Sequence, residues 1–365
     1  MTHSIALNMI VKNEAKHLGK ALQSVADCVD EIVIVDTGSE DNTLQIAESF
    51  GAKVIEFDWI DDFAAARNCA IGNSTSDWIL TLDADEYLLP EAQLKLKQLK
   101  QELTSPNFYY WFTRVFQKNN NAVTYQKKIY LFPNRPDIHW KFRVHEQINH
   151  DFALLDMQSR TIDLRIQLER SDETAETRQK KSLYYYQLLL EELERYPNES
   201  ILLYHLGKEC YMLKKYNEAI IYLQQAFDTL HENSALFSDL TYYLVSSLYS
   251  SGRMIEGWSA LKHAQEVFPE NISLLNLEAS LMRVQKKPEK AAELYLEVIE
   301  ICKSGDQTQD NIDTRQASAS ARLNLADIYM ELSQTDKAKQ MWSAVLKDFP
   351  ENEWALKGLN QFLGT

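Results

Sequence analysis

Cysteine is scarce in this chain, and the few that occur are isolated. Cys28, Cys69, Cys210 and Cys302 lie far apart and form no Cys-x-x-Cys pair. That excludes a disulfide framework and a cysteine zinc site, and it predicts a reducing, cytoplasmic setting. No apolar run is long enough to span a bilayer, and residues 1–7 lack the charged-then-apolar layout of a signal peptide. Positive charge is short as well. Against 53 Asp and Glu stand 38 Lys and Arg, a formal net charge of −15, which argues against nucleic-acid binding through a basic surface. Anionic small substrates stay open, because a local basic pocket or a bound metal overrides the global field. No Gly-x-Gly-x-x-Gly turn follows the first apolar run, which removes a dinucleotide-dependent oxidoreductase. With 10 Gly and 8 Pro in 365 residues, the composition is that of a globular protein with room for two domains.

The first half alternates strand and helix signals. Apolar runs at Ser4 to Val11, Glu31 to Asp36, Lys53 to Phe57 and Trp78 to Leu82 alternate with helical patterns at Ala15 to Val25, Asp41 to Phe50 and Asp62 to Ile71. Units of this length predict a mostly parallel sheet with helices on both faces. Ligands of such sheets gather beyond the strands' C-terminal ends, and Asp36, Asp83 and Asp85 all fall at that edge. The stretch Asp77 to Glu86 is the most telling: a buried strand running into Asp83, Asp85 and Glu86. Packed negative charge is costly without a cation. Asp83 and Asp85, two apart, point the same way on an extended backbone, and a tight turn can also converge them. The alternatives are a site for a divalent ion holding phosphates and a solvated acidic turn. From Phe108 to Ile148 aromatic and basic residues alternate, among them Arg114, Lys128, Tyr130 and Trp140. They read as strands and loops closing the site, with mostly basic outer faces.

Beyond Glu176 the pattern is helical. Arg178 to Arg195 is an amphipathic helix that stops before Pro197. A repeat follows. Gly207, Ala219 and Ala226 recur as Val245, Gly257 and Ala264, as Ala279, Ala291 and Val298, and as Ala326, Ala338 and Val345. The middle series steps by 38, 34 and 47 residues (219, 257, 291, 338); 34 is the tetratricopeptide period, and the long step is assigned to an insertion at Ser304 to Gln316. Four repeats and a capping helix from Trp354 to Leu363 are expected. Small residues at fixed offsets let paired helices approach, and the resulting concave surface suits a peptide or partner.

Four blocks of the first half resemble family 2 glycosyltransferases of the GT-A fold: Met9 to Ala15, Glu31 to Ser39 with Asp41, Ala66 to Asn68, and Leu82 to Glu86. Val144-His-Glu146 is similar to a pair in members that carry C-terminal tetratricopeptide repeats. The resemblance implies an α/β, Rossmann-like GT-A catalytic domain over residues 1–170, a linking helix over 171–199 and an all-α tetratricopeptide-repeat domain over 200–365. It implies a UDP-sugar donor, with Asp36 on the uracil edge, Ile10, Val11, Lys12 and Asn13 along the nucleoside, and Arg67 on the diphosphate or the donor sugar. Asp83, Ala84 and Asp85 correspond to the Asp-Xaa-Asp motif. Asp85, Asp83 and His145 would hold Mn²⁺ or Mg²⁺.

Inverting displacement needs a carboxylate to take the acceptor's proton. Glu146 is the candidate, and Asp137 the alternative. His139 competes with His145, Arg67 has Asp61 and Asp62 as surface partners to choose instead, and Glu86 either faces acceptor or supports Arg67. Relatives carry a His-Gly-Tyr motif before the helical half, whereas Leu164 to Arg170 holds neither histidine nor glycine. The acceptor implied is a peptide side chain (Cys, Ser or Thr) or a glycan, and a homodimer through the repeats is expected. The competing class is a sugar-nucleotide-binding scaffold without catalysis.

Overall fold

The computed structural model describes residues 3–117, 123–148, 152, 155–169, 174–230, 236–303 and 314–362. They fall into two compact units that divide near Ala175.

The first unit is built on one eight-stranded sheet. Its strands in chain order are β1 (Ile5–Val11), β2 (Glu31–Asp36), β3 (Lys53–Glu56), β4 (Trp78–Thr81), β5 (Glu86–Leu88), β6 (Phe108–Gln117), β7 (Val123–Pro133) and β8 (Gln158–Leu168). They lie in the order β3-β2-β1-β4-β7-β6-β8-β5. The expected parallel arrangement holds across β3-β2-β1-β4. Beyond β4 the sheet is mixed: β7 runs antiparallel to β4, β8 is parallel to β6, and β5 is antiparallel to β8. Helices α1 (Leu18–Val25), α2 (Thr43–Ser49), α3 (Phe63–Gly72) and α4 (Pro90–Glu102) connect the strands. All four residues of β4 are buried, as are six of the seven of β1, which is why these strands read as continuous apolar runs and not as alternating ones. The first helix starts three residues later than Ala15, because Glu14 O first accepts from the N–H groups of His17 and Leu18 at 3.0 and 2.9 Å, in a turn.

The second unit is helical. α5 (Ala175–Arg195) ends where proline was expected to stop it. It is followed by α6 (Ser200–Met212), α7 (Tyr216–Thr229), α8 (Phe237–Ser250), α9 (Met254–Val267), α10 (Ile272–Val284), α11 (Pro288–Lys303), α12 (Thr314–Glu331), α13 (Thr335–Asp348) and α14 (Glu353–Asn360). Every small residue of the proposed repeat is buried. Gly207 shows why small size is required: a Cβ there would lie 2.4 Å from Leu223 Cγ on α7. Much of the insertion assigned to the long repeat step, residues 304–313, and the cap's last residue, Leu363, lie outside the described residues. So does Arg170.

Candidate active site

The ends of β1 and β2 are stitched together by short polar side chains. Val11 and Asp36 are partners in the ladder, and the N–H and hydroxyl of Thr37 donate to Val11 O at 3.0 and 3.1 Å. Asp36 is buried. Its Oδ2 accepts from the N–H groups of Gly38 and Ser39 at 3.1 and 3.0 Å, and its Oδ1 from the Ser39 hydroxyl. Asp36 therefore organises the turn after its own strand, with Gly38 at φ +99°. Asn13, at φ +55°, joins the same network: its N–H donates to Ser39 Oγ at 2.9 Å, and its side-chain oxygen accepts from Glu40 N at 2.7 Å. Ile10 packs with Val33, Val35 and Ala66, and Lys12 is exposed. Residues 10–13 and Asp36 are thus brought to one edge of the sheet.

A second network gathers beyond β4. Asp83 Oδ1 accepts from Arg67 Nη2 at 2.9 Å and its Oδ2 from Lys128 Nζ at 3.0 Å, with Arg114 Nη1 at 3.9 Å. Burial alone would raise the Asp83 carboxyl, but Lys128 and Arg67 outweigh it and hold that carboxyl well below the usual range. Arg67, on α3, uses its Nε to donate to Glu146 Oε1 at 2.6 Å, and its guanidinium lies 5.1 Å from the Trp140 ring. Burial disfavours the charged guanidinium, and Glu146 and Asp83 more than compensate. Asp62 caps the helix by accepting from Ala65 N at 2.8 Å, which fixes the turn that presents Arg67. Arg67 thus turns away from Asp61 and Asp62 to bridge two predicted site residues that lie far apart in sequence.

Glu86 is fully buried. It accepts from the Tyr130 hydroxyl at 2.8 Å, from Arg114 at 3.4 Å and from the Asp83 N–H at 3.0 Å. It supports Asp83, not Arg67, and is closed to any acceptor. Asp85 has the opposite surroundings. Burial, then the negative charges of Asp83, Glu86 and Glu14, push its carboxyl up to about 7. Ala84 between them is buried in the core. A carboxylate pressed by three others suits a hard divalent cation, so the donor chemistry at Asp85 fits the implied metal.

Other predicted residues are placed elsewhere. Asp137 pairs with Arg135 at 2.9 and 2.6 Å, and that guanidinium holds its carboxyl down. His139 is exposed. His145 sits beside Glu146 at φ +53°. Among the described residues no group of three or more His, Cys, Asp or Glu side chains is arranged as a metal cluster, so His145 is not assembled with Asp83 and Asp85. Sequence reasoning placed the basic residues of Phe108 to Ile148 mostly on outer faces, and Arg114 and Lys128 correct it: both face Asp83 and Glu86. The available signal was Lys128 and Tyr130 two apart on β7, hence on one side of the sheet. Glu14, inside the Met9 to Ala15 block, also belongs here: burial, then Asp41 and Asp83, raise its carboxyl.

Residues 7–159 match the family model described as glycosyl transferase family 2, and residues 320–352 match one for a tetratricopeptide repeat. A TPR repeat-containing protein of Synechococcus elongatus is 43% identical over 154 residues, 42% of this chain and 38% of that protein. The SPbeta prophage-derived glycosyltransferase SunS of Bacillus subtilis is 26% identical over 246 residues, 67% of this chain and 57% of SunS. Among solved structures, S. aureus TarS 1-349 in complex with UDP-GlcNAc aligns with a TM-score of 0.43 and 14% identity, covering 72% of this chain and 91% of that one. The chain thus spans 38% and 57% of these two curated relatives. No helix among the described residues is long and apolar enough to cross a membrane.

Proposed function

We propose that the chain, whose residues 7–159 match the glycosyl transferase family 2 model and residues 320–352 one for a tetratricopeptide repeat, moves a sugar from a UDP-sugar to an acceptor by inverting displacement. One observation carries the reading: the Asp83–Arg67–Glu146 chain stands beside Asp85, whose carboxyl is pushed up to about 7, at the strand ends. Asp36 and the Ile10 to Asn13 segment take the nucleoside. Arg67 and Lys128 offer a guanidinium and an ammonium to diphosphate oxygens, exchanging a carboxylate for phosphate. Asp85, with Asp83, would hold Mn²⁺ or Mg²⁺, which when bound neutralises charge on the departing UDP. Glu146, oriented by Arg67, takes the proton of the acceptor's hydroxyl or thiol. As it does so, the acceptor bonds to the anomeric carbon and the bond from that carbon to the diphosphate oxygen breaks. Glu86, Tyr130 and Arg114 hold Asp83 in place.

For the acceptor we favour a peptide side chain, because the repeat helices supply the kind of extended surface that suits a peptide. Transfer and hydrolysis of UDP-sugars, measured with Mn²⁺ and with EDTA for the wild type and Asp85→Ala, test the donor half. A loss of at least about a hundredfold in the variant is expected. Equal activity in both proteins, or none with any of several donors, ends the reading; the second outcome favours the non-catalytic scaffold. Incubating lysate peptides with labelled donor tests the acceptor. Label confined to lipid or glycan fractions excludes the peptide.

A further inference from the structure

The charges of the site leave one neutral side chain unused. Asn68 follows Arg67 on α3. Its Nδ2 donates to the Trp140 carbonyl at 2.9 Å, and its Oδ1 accepts the Trp140 N–H at 2.9 Å. A primary amide that meets both backbone groups of one residue takes the place of a neighbouring strand. Aspartate lacks the donor, and glutamine is one methylene too long.

The segment so held carries Glu146. Lys141 and Gln147 exchange two backbone hydrogen bonds of 2.8 and 3.0 Å, which close a short loop over Phe142 to Glu146. Within it Phe142 and His145 adopt φ +71° and +53°. Left-handed backbone at such residues persists only where the surroundings over-determine it, and α3 supplies the constraints. The Phe63 N–H, at the start of the helix, donates to Arg143 O at 2.8 Å. Asn68 grips Trp140, one residue before the bridge. The Trp140 ring is buried and lies against the guanidinium of Arg67. Adjacent helix positions therefore do two jobs: Arg67 meets the loop's carboxylate, and Asn68 meets the loop's base.

We infer that Asn68 is a positioning residue that clamps the 141–147 loop to α3, so that Glu146 meets Arg67 and faces the acceptor's proton. The inference rests on Glu146 as the base, and its test separates the two. In the full chain, Asn68→Ala should speed exchange of the Trp140 amide by about tenfold or more. It should lower kcat about ten- to a hundredfold, the size expected of a small misplacement of a reacting group, while UDP affinity by calorimetry changes less than about twofold. Asn68→Asp keeps the acceptor for the Trp140 N–H but turns a carboxylate oxygen on the Trp140 carbonyl, so it should also speed Trp140 exchange and lower kcat. Unchanged Trp140 exchange in Asn68→Ala, or UDP affinity falling in step with turnover, overturns the clamp. A wild type that binds UDP yet transfers sugar to nothing sinks only the base role of Glu146; Trp140 exchange then still decides whether Asn68 holds the loop.

Discussion

Glu86→Gln removes one negative charge from the buried frame behind Asp83 while keeping its shape. In the wild type Glu86 meets three donors: the Tyr130 hydroxyl at 2.8 Å, the Asp83 N–H at 3.0 Å and Arg114 at 3.4 Å. A glutamine can direct its oxygen to the Asp83 N–H and its NH₂ to the Tyr130 oxygen, since a hydroxyl both donates and accepts. The guanidinium of Arg114 cannot be satisfied so, because it carries only donors. It would keep the side-chain oxygen of Gln126, and Asp83 at 3.9 Å, but no carboxylate within hydrogen-bond distance among the described residues. Breaking a buried ion pair from one side costs about 3–5 kcal/mol. Water reaches Arg114, whose side chain is 21% exposed, so about 3 kcal/mol is expected, or roughly a hundredfold in an opening equilibrium. A chain of two units need not unfold in one step, so the assay should be local: hydrogen exchange of amides from Trp78 to Leu88 in mild urea. Adding Arg114→Met should return about half of the loss, a coupling of about 1.5 kcal/mol. An exchange change below about threefold, or strictly additive variants, would refute the claim that this pair holds the turn.

Three further outcomes follow from the same geometry. Lys128→Met removes one of the two cations that hydrogen-bond Asp83 and should raise the Kd for UDP about tenfold, near 1.4 kcal/mol, by calorimetry. Gly207→Ala gains about 1 kcal/mol of helix propensity but drives a Cβ to 2.4 Å from Leu223 Cγ and 3.2 Å from the Leu223 backbone nitrogen. An overpacking cost of about 1–3 kcal/mol should win, lowering the urea midpoint of the helical unit. Burial, then Glu218, push the Cys210 thiol up to about 12, above its value in the unfolded chain. Between those values the unfolded state has lost a proton that the folded state retains, so stability falls as pH rises from about 9 towards 12. Urea midpoints across that range should fall less steeply in Cys210→Ala.

What could be read from sequence was whatever local chemistry decides. β1 and β4 are buried on both faces, so their residues form continuous apolar runs. Asp36 and Asp83 follow such runs and Arg67 lies on the helix before β4, so the parallel half of the sheet brings them to its edge, while Glu146 reaches Arg67 from the loop closed by Lys141 and Gln147. The repeat was legible because close helix contact permits little at Gly207 beyond a hydrogen. Arg114 and Lys128 were not legible. Alternation on a strand defines two sides but not which side meets the site, and that depends on β7 pairing with β4 and β8 running beside β6. Asp137 was misleading for the reverse reason: its partner, Arg135, is two residues away, a local pair that alternation does not reveal.

Of the two geometries expected for the acidic stretch after β4, the extended strand and the tight turn, the structure takes the turn. Two carboxylates two residues apart converge on an extended backbone, but the strand ends at Thr81 and Asp83 already lies in a turn closed by Glu86 N donating to Asp83 O at 3.0 Å. The turn sends the carboxylates into different company. Asp83 faces Arg67 and Lys128, which hold it ionised, while Asp85 faces Asp83, Glu86 and Glu14, which press it towards neutrality. Divergent environments for neighbouring acids are how one site assigns two roles to the same functional group. Here the difference orders events. A cation arriving at Asp85 relieves repulsion already present, whereas one competing for Asp83 must displace two ion pairs. Phosphate oxygens bring the charge that those displaced cations need. On the proposed function donor and ion should therefore favour each other's binding: UDP affinity should rise with Mn²⁺ in the wild type and respond less to it in Asp85→Ala.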